Sequence, residues 1–300
     1  MSDSLPRAEL ERLEALGDVQ VYPAEGPLPA VDTRADLLIA NAPLSRVLEV
    51  AGALGGLRVI QTMSAGVDRY IGQVPPGVTL CDAGGVHDVA VAEWVLMAIL
   101  AAQRNLPIYL AAQQEARWRI DRIAGRDLVD ATVLIVGAGS IGRAVEARLV
   151  PFGARIERIA RTERPGVHPL SELGSILPRA DIVVVLLPLT AETRATFDPA
   201  RIGAMRPGAL LVNASRGPIV DTAALTKAVV AGRIRTALDV TDPEPLPDGH
   251  PLWSAPGALI TPHVASDVAR EDERGWQLVY EQVERLAAGV PPVNVVADGY

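Results

Sequence analysis

Apolar residues in this chain come in short runs, separated by longer stretches in which apolar and polar positions recur at helical spacing. Runs at 19–22, 37–40, 57–61 and 78–81 predict strands in the first third. A second series falls at 133–136, 155–159, 182–187, 210–213, 236–240 and 259–260. Helical patterns lie between them, among them 140–150, 222–231 and 268–287. Continuous apolar strands alternating with helices predict an α/β fold with parallel sheets covered on both faces.

The most informative run is ATVLIVGAGSIGRAVEARLV at 131–150. A buried strand leads directly into Gly137-Ala138-Gly139-Ser140-Ile141-Gly142, and a helical pattern follows. A dinucleotide pyrophosphate needs this arrangement. One glycine makes the tight turn, the second lets the backbone approach the phosphates, and the third lets helix pack close to strand. The helix start then offers unpaired N–H groups and a positive dipole end to the anion.

Such a turn belongs on the first strand of its sheet, yet here it comes after residue 130. Two doubly wound parallel-sheet domains are therefore expected. The larger is a Rossmann dinucleotide-binding domain at 99–267, and the smaller covers 1–98 completed by the C-terminal helix, 268–300. A long apolar helix from Val89 to about Gln114 is expected to bridge them, with a cleft between the domains. Its residues Val89, Val91, Trp94, Val95, Leu96, Ile99 and Leu100 lie almost all round the helix. A helix apolar on every face is buried on every face, so a second subunit is expected to cover what the bridge leaves, giving a homodimer.

Composition narrows the function. The 300 residues are 49% hydrophobic but only 4% aromatic, so the core must be aliphatic. A net charge of −8 argues against nucleic acid or an anionic membrane as partner. The N-terminus is charged from the start, without the apolar stretch of a signal peptide, and no run reaches the ~18 residues of a spanning helix. The expectation is a cytoplasmic protein. A lone Cys81 leaves no internal disulfide and no multi-cysteine metal site, and no metal is expected.

Polar residues gather where the later strands end. Arg216 follows the strand at 210–213, Asp239 ends the strand at 236–240, Glu244 stands in a proline-rich loop, and His263 follows the strand at 259–260. In an open parallel sheet, ligands bind beyond the carboxyl ends of the strands. Arg216 offers a bidentate fork for a carboxylate. His263 can give or take a proton near neutral pH, and Glu244 can orient its ring. Singly, each residue has an ordinary structural reading as a surface cation, a solvated loop acid or a structural histidine. Together they suit hydride transfer between a nicotinamide and a 2-keto or 2-hydroxy acid.

Seven segments resemble the D-isomer-specific 2-hydroxyacid dehydrogenases: MSAGVDRYI (63–71), GVHDVAVAEW (85–94), VGAGSIGRA (136–144), LLPLTAETRATF (186–197), NASRGPIVD (213–221), ALDVTDPEPLP (237–247) and TPHVAS (261–266). The resemblance covers nearly the whole chain and is weakest over the first fifty residues. It implies Arg216 as substrate anchor, Glu244 as the carboxylate paired to the base and His263 as acid/base. It also implies a substrate carboxylate on the backbone around Ala65 and Gly66. Cofactor contacts are implied at Pro188, Thr193, Ala214 and Asp239, beside the glycine turn.

Departures from the family pattern carry information. NAD users generally place Asp at the end of the second nucleotide-binding strand, where it takes the ribose hydroxyls. Here Ala160 holds that position, followed by Arg161, Thr162 and later Arg164. Cations replace the carboxylate that would repel a 2′-phosphate, which favours NADP over NAD; the alternative is a solvated arginine cluster with relaxed cofactor choice. His87 stands where many relatives have Asn, either tuning the cleft or as a neutral replacement. Formate dehydrogenases resemble this chain too, but pair their histidine with Gln, where Glu244 stands here. The resemblance is therefore nearest to glyoxylate/hydroxypyruvate reductases. Alternatives are an NAD-dependent dehydrogenase of another 2-hydroxy acid such as phosphoglycerate, and a nucleotide-sensing, corepressor-like binding protein. Trp118 and Ser266 are candidates for the pocket wall.

Overall fold

The computed structural model describes residues 7–28, 34–118 and 123–296. Helix α1 (Arg7–Glu14) precedes strand β1 (Leu37–Ala40), helix α2 (Leu44–Ala53), and strands β2 (Val59–Thr62) and β3 (Thr79–Cys81). Helices α3 (Asp88–Gln103) and α4 (Leu106–Gln114) lead to β4 (Thr132–Val136), α5 (Ser140–Leu149), β5 (Arg155–Ala160) and the short β6 (His168–Pro169). Then come α6 (Leu173–Ile176), β7 (Ile182–Val185), α7 (Pro199–Ala204) and β8 (Leu210–Asn213). The chain ends with α8 (Thr222–Val230), β9 (Arg235–Leu238), β10 (Ala258–Ile260) and α9 (Glu271–Ala287). It divides into two compact units, Met1–His87 with Val268–Tyr300, and Asp88–Asp267.

The second unit is built on a seven-stranded sheet in the order β10-β9-β8-β7-β4-β5-β6, and every pair is parallel. Alternation along β4 splits its side chains between two layers, as the two-residue period of a strand requires. Leu134 and Val136 pack with Val183 and Val185 of β7, Leu173 of α6 and Phe197. Val133 and Ile135 pack on the opposite face with Val95 and Ile99 of α3 and Val145 and Leu149 of α5. Both faces are covered, so the strands read as unbroken apolar runs. From β4 the chain winds outward to β5 and β6, then returns to β7 on the other side of β4. That reversal is the switch point at which such sheets bind ligands.

The first unit carries a three-stranded parallel sheet, β1-β2-β3. Leu38, Ala40, Ile60 and Leu80 pack with Val47 and Val50 of α2. Ile39 faces the other way, onto Leu13 of α1 and Trp276, Val279 and Tyr280 of α9. Beside this packing, buried Gln61 accepts from Gln282 Nε2 at 2.6 Å, and Gln282 also exchanges hydrogen bonds with the backbone of Val293. Each amide thereby satisfies groups that burial would otherwise leave unpaired.

Three expectations change. The break expected after residue 98 falls inside α3, whose contacts are with the second unit, and the division lies at His87 and Asp88. The single helix expected from Val89 to Gln114 is two, bent by 74°. Asn105 there takes a left-handed φ of 55°, and Pro107 in the first turn of α4 has no N–H to continue the earlier helix. The segment 19–22 forms no strand of the sheet, and Pro23 follows it directly, removing a ladder donor. Among the described residues no single helix is long and apolar enough to cross a membrane; α3 and α4 pass that test only taken together across their bend.

Candidate active site

The glycine turn follows β4 at the carboxyl edge of the seven-stranded sheet. Gly137 has a φ of +115°, and a Cβ there would lie 2.5 Å from the Leu186 carbonyl. A Cβ on Gly142 would run into the Gly137 carbonyl oxygen. Gly139 is different: it is exposed, and a Cβ would meet nothing within 4 Å. Two glycines are thus required by packing and the third leaves open space over the turn. Ser140 begins α5, and no side chain caps the helix start. Its first N–H groups remain for an anion. This cradle fits a dinucleotide pyrophosphate.

At the end of β5, Ala160 is followed by exposed Arg161 and Thr162. Glu157, earlier in the strand, is held by Arg179 through two 2.9 Å bonds and lies 3.5 Å from His168. The Arg179 guanidinium keeps its carboxyl below the usual range. Arg164 reaches back to the glycine turn, donating to the Ala138 carbonyl at 2.7 Å.

Beyond β8, β9 and β10 lie Arg216, Asp239, Glu244 and His263. His263 Nδ1 is 2.7 Å from Glu244 Oε1, and both side chains are partly open to solvent. An ionised carboxylate only accepts, so Nδ1 carries the proton and Nε2 faces away from Glu244. Asp239, expected to contact the cofactor, is 3% exposed. Its oxygens accept from Thr261 Oγ1 at 2.6 Å and from the Val264 and Ala265 amides at 2.9 Å each. That carboxylate is committed to the loop that carries His263. Arg216, half-buried after β8, donates to the Ser215 carbonyl at 2.8 Å. Asn213 fixes the bend beside it, donating to the Arg216 carbonyl and accepting from Ser215. Asn213 and Thr261 are not singled out by the sequence reading; their signal there is polarity at a strand end and a place in the segments 213–221 and 261–266.

Thr193 is buried and donates to the Pro188 carbonyl at 2.6 Å, closing the loop after β7, while Pro188 is exposed and Ala214 half-buried. In the first unit, Ala65 and Gly66 follow β2 in a turn where Ser64 Oγ accepts the Gly66 N–H at 3.1 Å and Thr62 donates to the Ser64 carbonyl. His87, also of that unit, is buried with Nδ1 3.1 Å from Glu271 Oε1, close in distance but not aligned as a hydrogen bond. Trp118 is 92% exposed and Ser266 half-buried.

Residues 96–265 match the model of the D-isomer specific 2-hydroxyacid dehydrogenase, NAD binding domain, family. D-3-phosphoglycerate dehydrogenase of Mycobacterium bovis is 34% identical over 95% of this chain and 57% of its own length, so the chain spans little more than half of that relative. The crystal structure of a D-isomer specific 2-hydroxyacid dehydrogenase from Xanthobacter autotrophicus in complex with NADPH and MES superposes with a TM-score of 0.83 and 30% identity, covering 98% of this chain and 96% of that one. The NADPH-dependent glyoxylate/hydroxypyruvate reductase of Sinorhizobium meliloti in complex with NADP and sulfate gives a TM-score of 0.80 at 26% identity, covering 98% and 96%.

Proposed function

The chain belongs to the D-isomer specific 2-hydroxyacid dehydrogenase family, and from that premise we propose that it is an NAD(P)-dependent oxidoreductase reducing a small 2-keto acid, glyoxylate or hydroxypyruvate, to its 2-hydroxy acid. One observation carries the reading. A 2.7 Å histidine–carboxylate pair stands beyond the strands of the same sheet whose first turn leaves Gly139 open.

When bound, a reduced nicotinamide supplies the hydride. The residues of the chain do the rest. Gly137 to Gly142 and the start of α5 hold the pyrophosphate. Arg216 takes the substrate carboxylate and polarises the carbonyl beside it. His263 donates the Nε2 proton to the nascent alkoxide, while Glu244 keeps Nδ1 occupied and offsets the imidazolium charge. Asp239 orients the histidine loop.

The cofactor preferred is NADP. Ala160 ends β5 without the carboxylate that would repel a 2′-phosphate, and Arg161 and Thr162 stand exposed beside it. The similar reductase from S. meliloti is described as NADPH-dependent. The assembly is a homodimer, supported by exposed apolar residues on α3 and α4: Met97, Leu106, Tyr109 and Leu110. Steady-state assays of a 2-keto acid panel with NADPH and NADH test the whole. Turnover of glyoxylate or hydroxypyruvate, faster with NADPH, is expected. Nucleotide binding without turnover of any keto acid would replace the enzyme with a sensor.

A further inference from the structure

Arg164 stands in the sequence as a second cation for a 2′-phosphate, yet its guanidinium is already engaged by the Ala138 carbonyl at 2.7 Å. We propose that Arg164 is a positioning residue for the cofactor pyrophosphate, acting through the Ala138–Gly139 peptide group and not on the 2′-phosphate. The inference rests on the dinucleotide reading above.

The arm that carries it is braced. Arg164 and Val167 exchange backbone hydrogen bonds, 2.8 Å from the Val167 N–H and 3.4 Å from that of Arg164, with Gly166 at a φ of +75° between them. Arg158 of β5 donates to the Gly166 carbonyl at 3.4 Å and pairs with Glu146 of α5, Nε to Oε2 at 2.6 Å. The turn bearing Arg164 is therefore tied to β5 and α5, a geometry suited to a fixed strut.

Beneath the glycine turn lies a cavity of about 210 Å³, lined by Ala138, Gly142, Arg143, Glu146, Arg158 and Arg164 among others. Arg164 is one of the residues that line it, and its guanidinium bonds the turn directly. In a trans peptide the carbonyl oxygen and the following N–H point in opposite directions. Fixing the Ala138 oxygen on Arg164 therefore aims the Gly139 N–H away from it. A cation on the oxygen also polarises the peptide and strengthens that N–H as a donor. Ala138 is buried and Gly139 exposed, as this division of tasks requires.

Calorimetric titration of the full chain with ADP-ribose, 2′-phospho-ADP-ribose and 2′-AMP tests the proposal. Arg164→Gln should weaken both pyrophosphate ligands by the same factor, about tenfold, and leave 2′-AMP within about twofold. Arg164→Lys, which restores a cation, should recover most of the loss. Arg161→Ala should weaken only the two ligands that carry a 2′-phosphate. A loss in Arg164→Gln confined to the 2′-phosphorylated ligands, or no loss at all, overturns the proposal. A wild-type protein that binds neither pyrophosphate ligand overturns the dinucleotide reading itself, and this inference with it.

Discussion

His263 holds a φ of +58°, a left-handed conformation that costs a non-glycine residue on the order of 1–3 kcal/mol and persists only where its surroundings impose it. Here the histidine N–H donates to the Asp239 carbonyl at 2.8 Å, while the Asp239 carboxylate gathers Thr261, Val264 and Ala265. The ring is thereby presented to Glu244 from a fixed backbone. His263→Ala should lower kcat by roughly 10²–10⁴-fold in steady-state assays while cofactor affinity stays near normal. Glu244→Gln should lower kcat less than His263→Ala does, since the amide oxygen still accepts from Nδ1 but no longer offsets the imidazolium charge. Cofactor choice is also set at single positions. A charge-assisted contact between Arg161 and a 2′-phosphate favours NADPH by roughly 1.5–3 kcal/mol, about ten- to a hundredfold. The pair Arg161→Ala with Ala160→Asp should reverse the kcat/KM ratio for NADPH and NADH. Equal use of both cofactors by the unaltered protein would defeat that assignment.

At the scale of elements, the junction of β4 with α5 separates packing from binding. Gly142 faces the Gly137 carbonyl, so Gly142→Ala must push helix from strand and should lower the urea midpoint markedly. Gly139→Ala meets no protein atom and should fold with unchanged stability, yet lose dinucleotide affinity because the methyl fills the space over the turn. Loss of stability in both variants, or in neither, would show that the two glycines do not divide the work. The same α5 is tied to β5 by Glu146 and Arg158, and the guanidinium holds the Glu146 carboxyl below its ordinary 4.5. A depressed carboxylate adds stability that is complete above the ordinary value and is lost as pH falls through the lower folded one. Arg158→Ala should therefore flatten the fall in urea midpoint between neutral pH and pH 3.

For the whole molecule, the chain leaves the first unit after His87 and returns to it at Val268. Gln282 of the returning helix meets Gln61 across 221 positions, so the first unit is complete only when both ends of the chain are made. The second unit buries Ala92, Val95 and Ile99 of α3 against its own sheet, which accounts for part of the all-round apolar pattern of that helix. Met97, Leu106 and Leu110 remain exposed. Covering them in a homodimer predicts a mass near twice 31.7 kDa in sedimentation at micromolar concentration. A monomer would remove the dimer from the proposal.

The sequence by itself determined what is local. Strands at 37–40 and 210–213 are legible to the residue, because a strand covered on both faces is a continuous apolar run bounded by turn residues. The glycine turn is legible because strand, turn and helix start are contiguous. Arg216, Glu244 and His263 stand out only together, because polar residues gather after successive strands at the edge where such sheets bind ligands. The first fifty residues are less legible: their pattern does not single out α1 or α2, and the apolar run at 19–22 predicts a strand that the sheet does not contain. Tertiary structure alone decided that Arg164 meets the Ala138 carbonyl across 26 residues and that Asp239 holds the loop of the histidine, and it gave the expected pair of His263 and Glu244 its 2.7 Å geometry. It also broke the long apolar helix at Asn105 and moved the boundary between units to His87. Side-chain type and period are properties of neighbours in the chain. A hydrogen bond between remote groups depends on the path of the backbone between them, and only the folded chain fixes that path.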